Sequence, residues 1–226
     1  MLAAKVDRCT VDDAAALARN NMSAYWTDST WRINFRGREL EDIIANCTKR
    51  VPTNLLTNRD KLRHQKAVDT QTGAVLGYAR YIMPNRLTGE WLEAQTPESS
   101  AEEEKESMKQ FCSANWIRRG DKTNLGQPLS DIMERLMRGN EYIELEYLAV
   151  HPDHKGQGVA TLLVESGIAV SERLEVDLIV MAYKSAIGVY KRLGFEMLEY
   201  LIQDDSKFGG EGEFGAYFML RRARRE

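Results

Sequence analysis

The sequence predicts a mixed α/β sheet of about seven strands covered by helices. Three observations carry this. The segments read in order as strands, a helix-rich insertion, a strand–helix–strand–helix unit and closing strands, an order that lays helices against a sheet. The stretch Tyr142 to Ala169 (YIELEYLAVHPDHKGQGVATLLVESGIA) passes from apolar alternation to helical periodicity across a turn holding Gly156 and Gly158. Val176 to Met181 (VDLIVM) is almost continuously apolar, as strands buried on both faces are. With 226 residues, 43% of them hydrophobic, the chain can build one substantial core. A single domain over 1–226 is expected, with a helical insertion at 84–140.

Ala3 to Cys9 reads as a first strand. Thr10, with Asp13 three residues on, resembles a capping box, and the Ala-rich run behind it reads as a helix to about Tyr25. A connection with Trp26 and Trp31 follows. From Arg38, helical spacing of Leu40, Ile43 and Ile44 predicts a second long helix, with a continuation past Pro52 open. Arg63–Val68 and Ala74–Met83 flank the turn chemistry of Asp69–Gly73 and read as an antiparallel hairpin. The insertion carries an acidic run (Glu98, Glu102, Glu103, Glu104, Glu106) and amphipathic patches near Met108 and Ile132. Two or three helices are expected there, with a mobile segment near Thr96 to Ala101. The acidic run is a solvated helix face or a lid over a cleft. Beyond Val176–Met181, Tyr183–Arg192 reads as a turn and short helix stopped by Gly194. Phe195–Ile202 and Phe214–Leu220 close the sheet around the Gln203–Gly212 loop.

Composition narrows the function classes. Formal net charge is -3, which gives no reason to expect a nucleic-acid or anionic-membrane partner. The run Arg221-Arg222-Ala223-Arg224-Arg225 reads as a solvated end or a docking tail. Three dispersed cysteines match no metal-ligand spacing. With no long apolar run, a cytoplasmic protein with unpaired thiols and no metal is expected.

The chemistry concentrates in the organising stretch. Strict alternation would put Ile143, Leu145, Tyr147 and Ala149 in the core, and Glu144, Glu146, Leu148 and Val150 on the other face. Two carboxylates on a central strand either pair with Arg, meet solvent, or line a polar cleft where a raised pKa makes a base. After the strand, Gly156 and Gly158 allow close backbone approach, and the helix behind them presents unpaired amides suited to a phosphate. A Walker A loop is excluded because Gly-Lys-Ser/Thr is absent. A dinucleotide fingerprint lacks its third glycine, since position 161 is Thr161, and Asp177 starts the next strand rather than ending it.

The run Leu148-Ala149-Val150-His151-Pro152, then Lys155-Gly156-Gln157-Gly158-Val159-Ala160 and a helix with Leu162-Leu163, resembles the acetyl-CoA-binding motif of the GCN5-related N-acetyltransferase (GNAT) superfamily. Tyr190-Lys191-Arg192-Leu193-Gly194-Phe195 is similar to that family's second signature. The resemblance covers about Tyr142 to Phe195. It implies a mixed, mostly antiparallel twisted sheet of about seven strands flanked by helices. It also implies acetyl-CoA as acetyl donor and an amine acceptor, small molecule or peptide. Leu148, Ala149 and Val150 would pair with the pantetheine arm. The backbone of Gly156, Gln157, Gly158, Val159, Ala160 and Thr161 would hold the pyrophosphate. Glu144 matches the family's general base, with Glu146 a competitor, and Tyr190 matches the acid for the departing thiolate. Lys155 stands where the motif has Gln or Arg. Tyr183, with Ser185 close by, stands near the position of a pantetheine-binding Asn. Protein-lysine acetylation and CoA binding without turnover are the alternatives. The paired glutamates favour a cationic amine.

Overall fold

A computed structural model describes residues 3–116 and 125–225. Residues 117–124, which fall within the expected insertion, the first two residues and the last lie outside the described set. Seven strands form one sheet in the order β1-β2-β3-β4-β5-β7-β6. They are β1 (Ala4–Arg8), β2 (Leu62–Asp69), β3 (Val75–Ile82), β4 (Ile143–Val150), β5 (Leu178–Tyr183), β6 (Glu196–Asp204) and β7 (Glu213–Arg221). All neighbours are antiparallel except β4 and β5, which are parallel. A mostly antiparallel mixed sheet is therefore present, with strand bounds within a few residues of those expected.

Helices cover both faces. On one lies α6 (Val159–Leu174), followed after β5 by α7 (Ile187–Arg192). The core between α6 and the sheet includes Leu76, Ala79, Tyr81, Ile143, Leu145, Leu163, Leu178 and Val180. α6 sits close because Gly77 and Gly167 leave room. A Cβ at Gly77 would lie 2.7 Å from Val159, and one at Gly167 would strike the Tyr81 ring. Tyr81 then donates its hydroxyl to Leu163 O at 2.8 Å.

The other face carries α1 (Ala14–Trp26), the short α2 (Ser29–Arg32) and α3 (Leu40–Leu56). Its core includes Cys9, Leu17, Phe35, Ile43, Val51, Leu55 and Tyr78. α3 continues through Pro52 as far as Leu56. The turn before α1 is built as the sequence suggests, with the Thr10 N–H donating to Asp13 at 2.7 Å. Asp13 also takes Lys66 at 2.6 Å.

The helices between β3 and β4 lie on this second side. α4 (Ala101–Ser113) packs along α3, and α5 (Gln127–Met137) covers β7 and its neighbours through Leu129, Ala216 and Phe218. The acidic residues are not an open segment. Glu102, Glu103 and Glu104 form the first turn of α4, where carboxylates suit the helix dipole, and Ser100 with Glu103 makes a reciprocal capping box. Thr96, where the segment expected to be mobile begins, is buried, and its carbonyl accepts from Arg59 Nε at 2.9 Å.

Arg63 anchors the chain just after β3. It is completely buried, and its guanidinium donates to the carbonyls of Arg59, Asp60, Leu62, Thr88 and Glu90. Arg63→Met would leave those acceptors buried and unsatisfied, each costing on the order of 1 kcal/mol or more. The expected loss is at least about 3 kcal/mol of unfolding free energy, read from urea melts.

The arginine-rich end is tied down. Asp177, itself buried, accepts from Arg222 at 2.8 Å and from the Ala223 N–H at 3.0 Å, and Glu172 accepts from the Arg224 N–H at 2.7 Å. The cysteines form no disulfide, with Cys9 and Cys47 buried and Cys112 exposed. Among the described residues, no helix is long and apolar enough to cross a membrane.

Candidate active site

The site begins where two strands part. β4 pairs with β5 only from Ile143 to Leu145, opposite Leu178 to Val180. Beyond Leu145, β4 keeps its pairing to β3 alone, and β5 runs on to Tyr183 paired with β7. The facing edges of Glu146–Val150 and Met181–Tyr183 are thus left open in a V. Open strand edges offer backbone donors and acceptors to an extended ligand.

The parting coincides with a β-bulge. Tyr81 lies opposite Leu145 and Arg80 opposite Tyr147, so Glu146 has no partner. This overturns the strict alternation expected for β4. Ile143 and Leu145 share the α6-side core with Leu148 and Val150, whereas Tyr147 packs with Tyr78 on the α1/α3 side. An extra residue switches the phase, so strand parity cannot be carried from Leu145 to Leu148.

The two glutamates consequently differ. Glu144 lies opposite Ile82, on the side of β4 that faces α1 and α3. Burial pushes its carboxyl up to about 7; the neighbouring Glu146 adds to the rise, and Arg80 opposes it. Glu146 is more exposed and forms an ion pair with Arg80, Oε2 to Nε at 2.6 Å. Arg80 also lies over the Tyr147 ring, 5.6 Å from its centroid. One carboxylate is committed to a guanidinium; the other is poised to exchange a proton near neutrality.

At the far end of β4, α1 fixes the strand. The buried Asn20 donates to Ala149 O at 3.2 Å and accepts from the His151 N–H at 3.0 Å. The turn then runs through Pro152–His154 to Gly156 (φ 75°) and Gly158 (φ 87°), backbone positions that side chains disfavour. No atom lies within 4 Å of a Cβ placed on either glycine, so neither is required by packing. Gly158 is the N-cap of α6 and provides no capping side chain. The amides of Val159, Ala160 and Thr161 have no intrahelical acceptor, and Leu162 is the first to bond back, to Gly158 O at 3.0 Å. Lys155 reaches Thr27 Oγ1 at 3.2 Å, and Gln157 donates to Asp153 O at 2.9 Å. Ser185 is exposed in the turn just after β5.

Tyr190 is buried on α7, its ring 5.3 Å from Phe195. Burial holds its phenol well above the ordinary value, and among the described residues its hydroxyl makes no hydrogen bond. Tyr25, which the sequence did not single out, links the parts. Its phenol is raised mainly by burial, then by Tyr183 and Tyr190, and its ring lies 5.0 Å from that of Tyr147. A helical spacing of Leu17, Asn21 and Tyr25 on α1 is the signal that could have found it.

The connection after α1, the stretch before α5 and the β6–β7 loop meet on the same side. Thr30 donates to the buried Asp205 at 2.6 Å, joining α2 to the β6–β7 loop, and Gln203 donates to Leu125 O at 3.1 Å. Trp31, Phe35 and Trp116 form an aromatic chain with centroids 4.6 and 5.1 Å apart.

A sheet split between parallel strands, with a glycine turn and an uncapped helix beside the split, defines the acyl-CoA N-acyltransferase class. The sequence profile of the Acetyltransferase (GNAT) family matches residues 39–195, more than half the chain, and the protein belongs to that family of acyltransferases. Solved structures share the fold. A histone acetyltransferase HPA2 and related acetyltransferase from Corynebacterium glutamicum aligns with a TM-score of 0.62 and 16% identity, over 99% of this chain and 98% of that one. A phosphinothricin acetyltransferase from Sinorhizobium meliloti, in complex with AcCoA, aligns at 0.52 and 12%, over 98% and 89%. The PaiA N-acetyltransferase from Thermoplasma acidophilum, in complex with coenzyme A, aligns at 0.50 and 10%, over 97% and 98%. No curated protein matches in sequence.

Proposed function

We propose that the protein moves the acetyl group of acetyl-CoA to a primary amine of a small molecule or peptide by direct attack. The observation that carries this is the opening between β4 and β5 beside the uncapped α6, with Glu144 on the strand that forms one wall. The pantetheine arm pairs with the open edge of Leu148, Ala149 and Val150. The pyrophosphate rests on amides from Gly156 to Thr161, and Lys155 offers a cation at its edge.

An alkyl amine is mostly protonated at neutral pH and must lose a proton before it attacks. Glu144 accepts that proton, directly or through a water. The amine then adds to the thioester carbonyl, and a backbone amide near Val150 stabilises the oxyanion. The carbon–sulfur bond breaks, the thiolate takes the phenolic proton of Tyr190, and the second proton shed by the nitrogen as the amide forms passes through water to restore the phenol. A phenol held protonated by burial is suited to that donation.

Tyr190→Phe is expected to lower kcat by about 10²-fold, in the usual range for loss of a general acid. Because the hydroxyl has no hydrogen-bond partner among the described residues, the thermal midpoint should stay within a few degrees of wild type. Thiol release from acetyl-CoA across a panel of primary amines tests the function itself. Tight acetyl-CoA binding without thiol release from any amine would overturn it in favour of a binding module.

A further inference from the structure

The sheet ends in two edges of opposite character. β1 closes one end with five residues, of which Lys5, Asp7 and Arg8 are exposed, short and charged as edge strands that stay single are. β6 closes the other with nine residues, none of them Lys or Pro. One side of β6 is covered. Leu201 packs on the α5 cluster, Glu199 pairs with Arg135 at 2.6 Å, and Gln203 donates to Leu125 O. The other side is bare. Tyr200 is 62% exposed and Ile202 43%, and Leu198, bulged out of the pairing with β7, is 42% exposed. Tyr200 stacks on Tyr217 of β7 with centroids 6.2 Å apart, and Ile202 leans over Gly215, where a Cβ would lie 2.8 Å from it. We propose that this edge pairs with the same edge of a second copy of the chain, antiparallel about a two-fold axis, so that two seven-stranded sheets become one.

Backbone, pattern and charge each point to a second copy. The Asp205 N–H donates to Gly212 O, toward β7. Backbone groups alternate between the two edges of a strand, so those of Tyr200, Ile202 and Asp204 point outward. With Leu201 on the axis, Tyr200 of each copy lies opposite Ile202 of the other, and the two bare faces join into one apolar strip. With Tyr200 on the axis, Glu196 would oppose Asp204; with Glu199 there, it would oppose itself. Like charges disfavour both registers. The ends of β6 differ in sign. Lys191 and Arg192 are exposed on α7 just before the strand begins and outnumber Glu196 there, while Asp204 and the Glu213 opposite it are exposed where the strand ends. Among the described residues, neither these two cations nor these two acids belong to an ion pair. An antiparallel copy brings the acidic end of each strand to the basic end of the other, twice over.

Sedimentation equilibrium of the full chain from about 1 to about 100 μM tests this, with a dimer half dissociated at about 10 μM or below expected for the wild type. Ile202→Pro removes an outward N–H that no bond within the sheet uses, a change edge strands tolerate. Tyr200→Asp puts a charge on the apolar strip. Both variants should be monomeric over the whole range, with the wild-type far-UV circular dichroism spectrum showing that they are folded. Asp204→Lys should weaken the dimer by about 10-fold, and Lys191→Glu in the same chain should restore it. A wild type still monomeric at about 100 μM would overturn the second copy as occupant of this edge. So would a dimer that survives both Ile202→Pro and Tyr200→Asp, or an Asp204→Lys defect that Lys191→Glu deepens.

Discussion

Glu144→Gln is expected to lower kcat/KM by about 10²–10⁴-fold while leaving the acetyl-CoA Kd unchanged. The wild-type rate should rise with pH through about 7, as the carboxyl loses its proton, and that limb should vanish in the variant. Stability should move the opposite way. The folded-state carboxyl titrates near 7, above its ordinary value of 4.5, so the folded chain holds a proton that the unfolded chain has released. Unfolding free energy from this group therefore falls as pH rises from about 4.5 to about 7 and stays low above. At pH 8 the Gln variant should be the more stable protein, by at most about 3 kcal/mol, because burial then costs it no ionisation. A variant both inactive and more heat-resistant at pH 8, but not at pH 4, identifies the base. Glu146→Gln offers the contrast, since it frees Arg80 rather than removing a proton acceptor. If Glu146→Gln abolished the pH limb and Glu144→Gln kept it, the roles would be exchanged.

Gly158→Val should raise the acetyl-CoA Kd by about 10²-fold, the effect of losing a pair of charge-assisted hydrogen bonds. The fold should survive. No protein atom lies within 4 Å of the new Cβ, and the cost of a side chain at φ 87° is about 1–2 kcal/mol. A mutation cheap for the fold and severe for the cofactor is the signature of a glycine kept open for a ligand. Calorimetry with CoA, set beside a thermal melt, reads both quantities. An unchanged Kd would remove the turn from the proposed phosphate site.

These two residues also show how much of the molecule was legible from its letters. The turn was readable because Gly156, Gly158 and the helix behind them act locally, through φ and unpaired amides. The strand before it was readable as a strand and misread in phase. Nothing in Glu144-Leu145-Glu146-Tyr147 announces that Glu146 has no partner on β3, because the slip belongs to the pairing and not to either segment. The division of labour between the glutamates was equally hidden. It depends on Arg80, more than sixty residues upstream, reaching Glu146. Asn20 and Tyr25 are not legible in the sequence, because a polar residue on an Ala-rich helix reads as surface until the helix is docked on β4. The capping box at the head of the acidic run is invisible until the helix boundary at Ser100 is known.

The unpartnered residue in β4 has a further consequence. On a regular strand, one spacing rule governs every side chain, so a carboxylate facing α1 at position 144 would oblige Leu148 and Val150 to face the same way. The odd residue at 146 acts as a phase shifter between two messages written on one strand. The first half is spelled for an ionisable wall, the second for a greasy backing beneath a ligand, and each keeps its own beat. Removing Glu146 would merge them. Either Glu144 would turn toward α6 or Leu148 and Val150 would turn away from it, so a single-codon deletion would disturb both halves of the site at once, where most substitutions touch one.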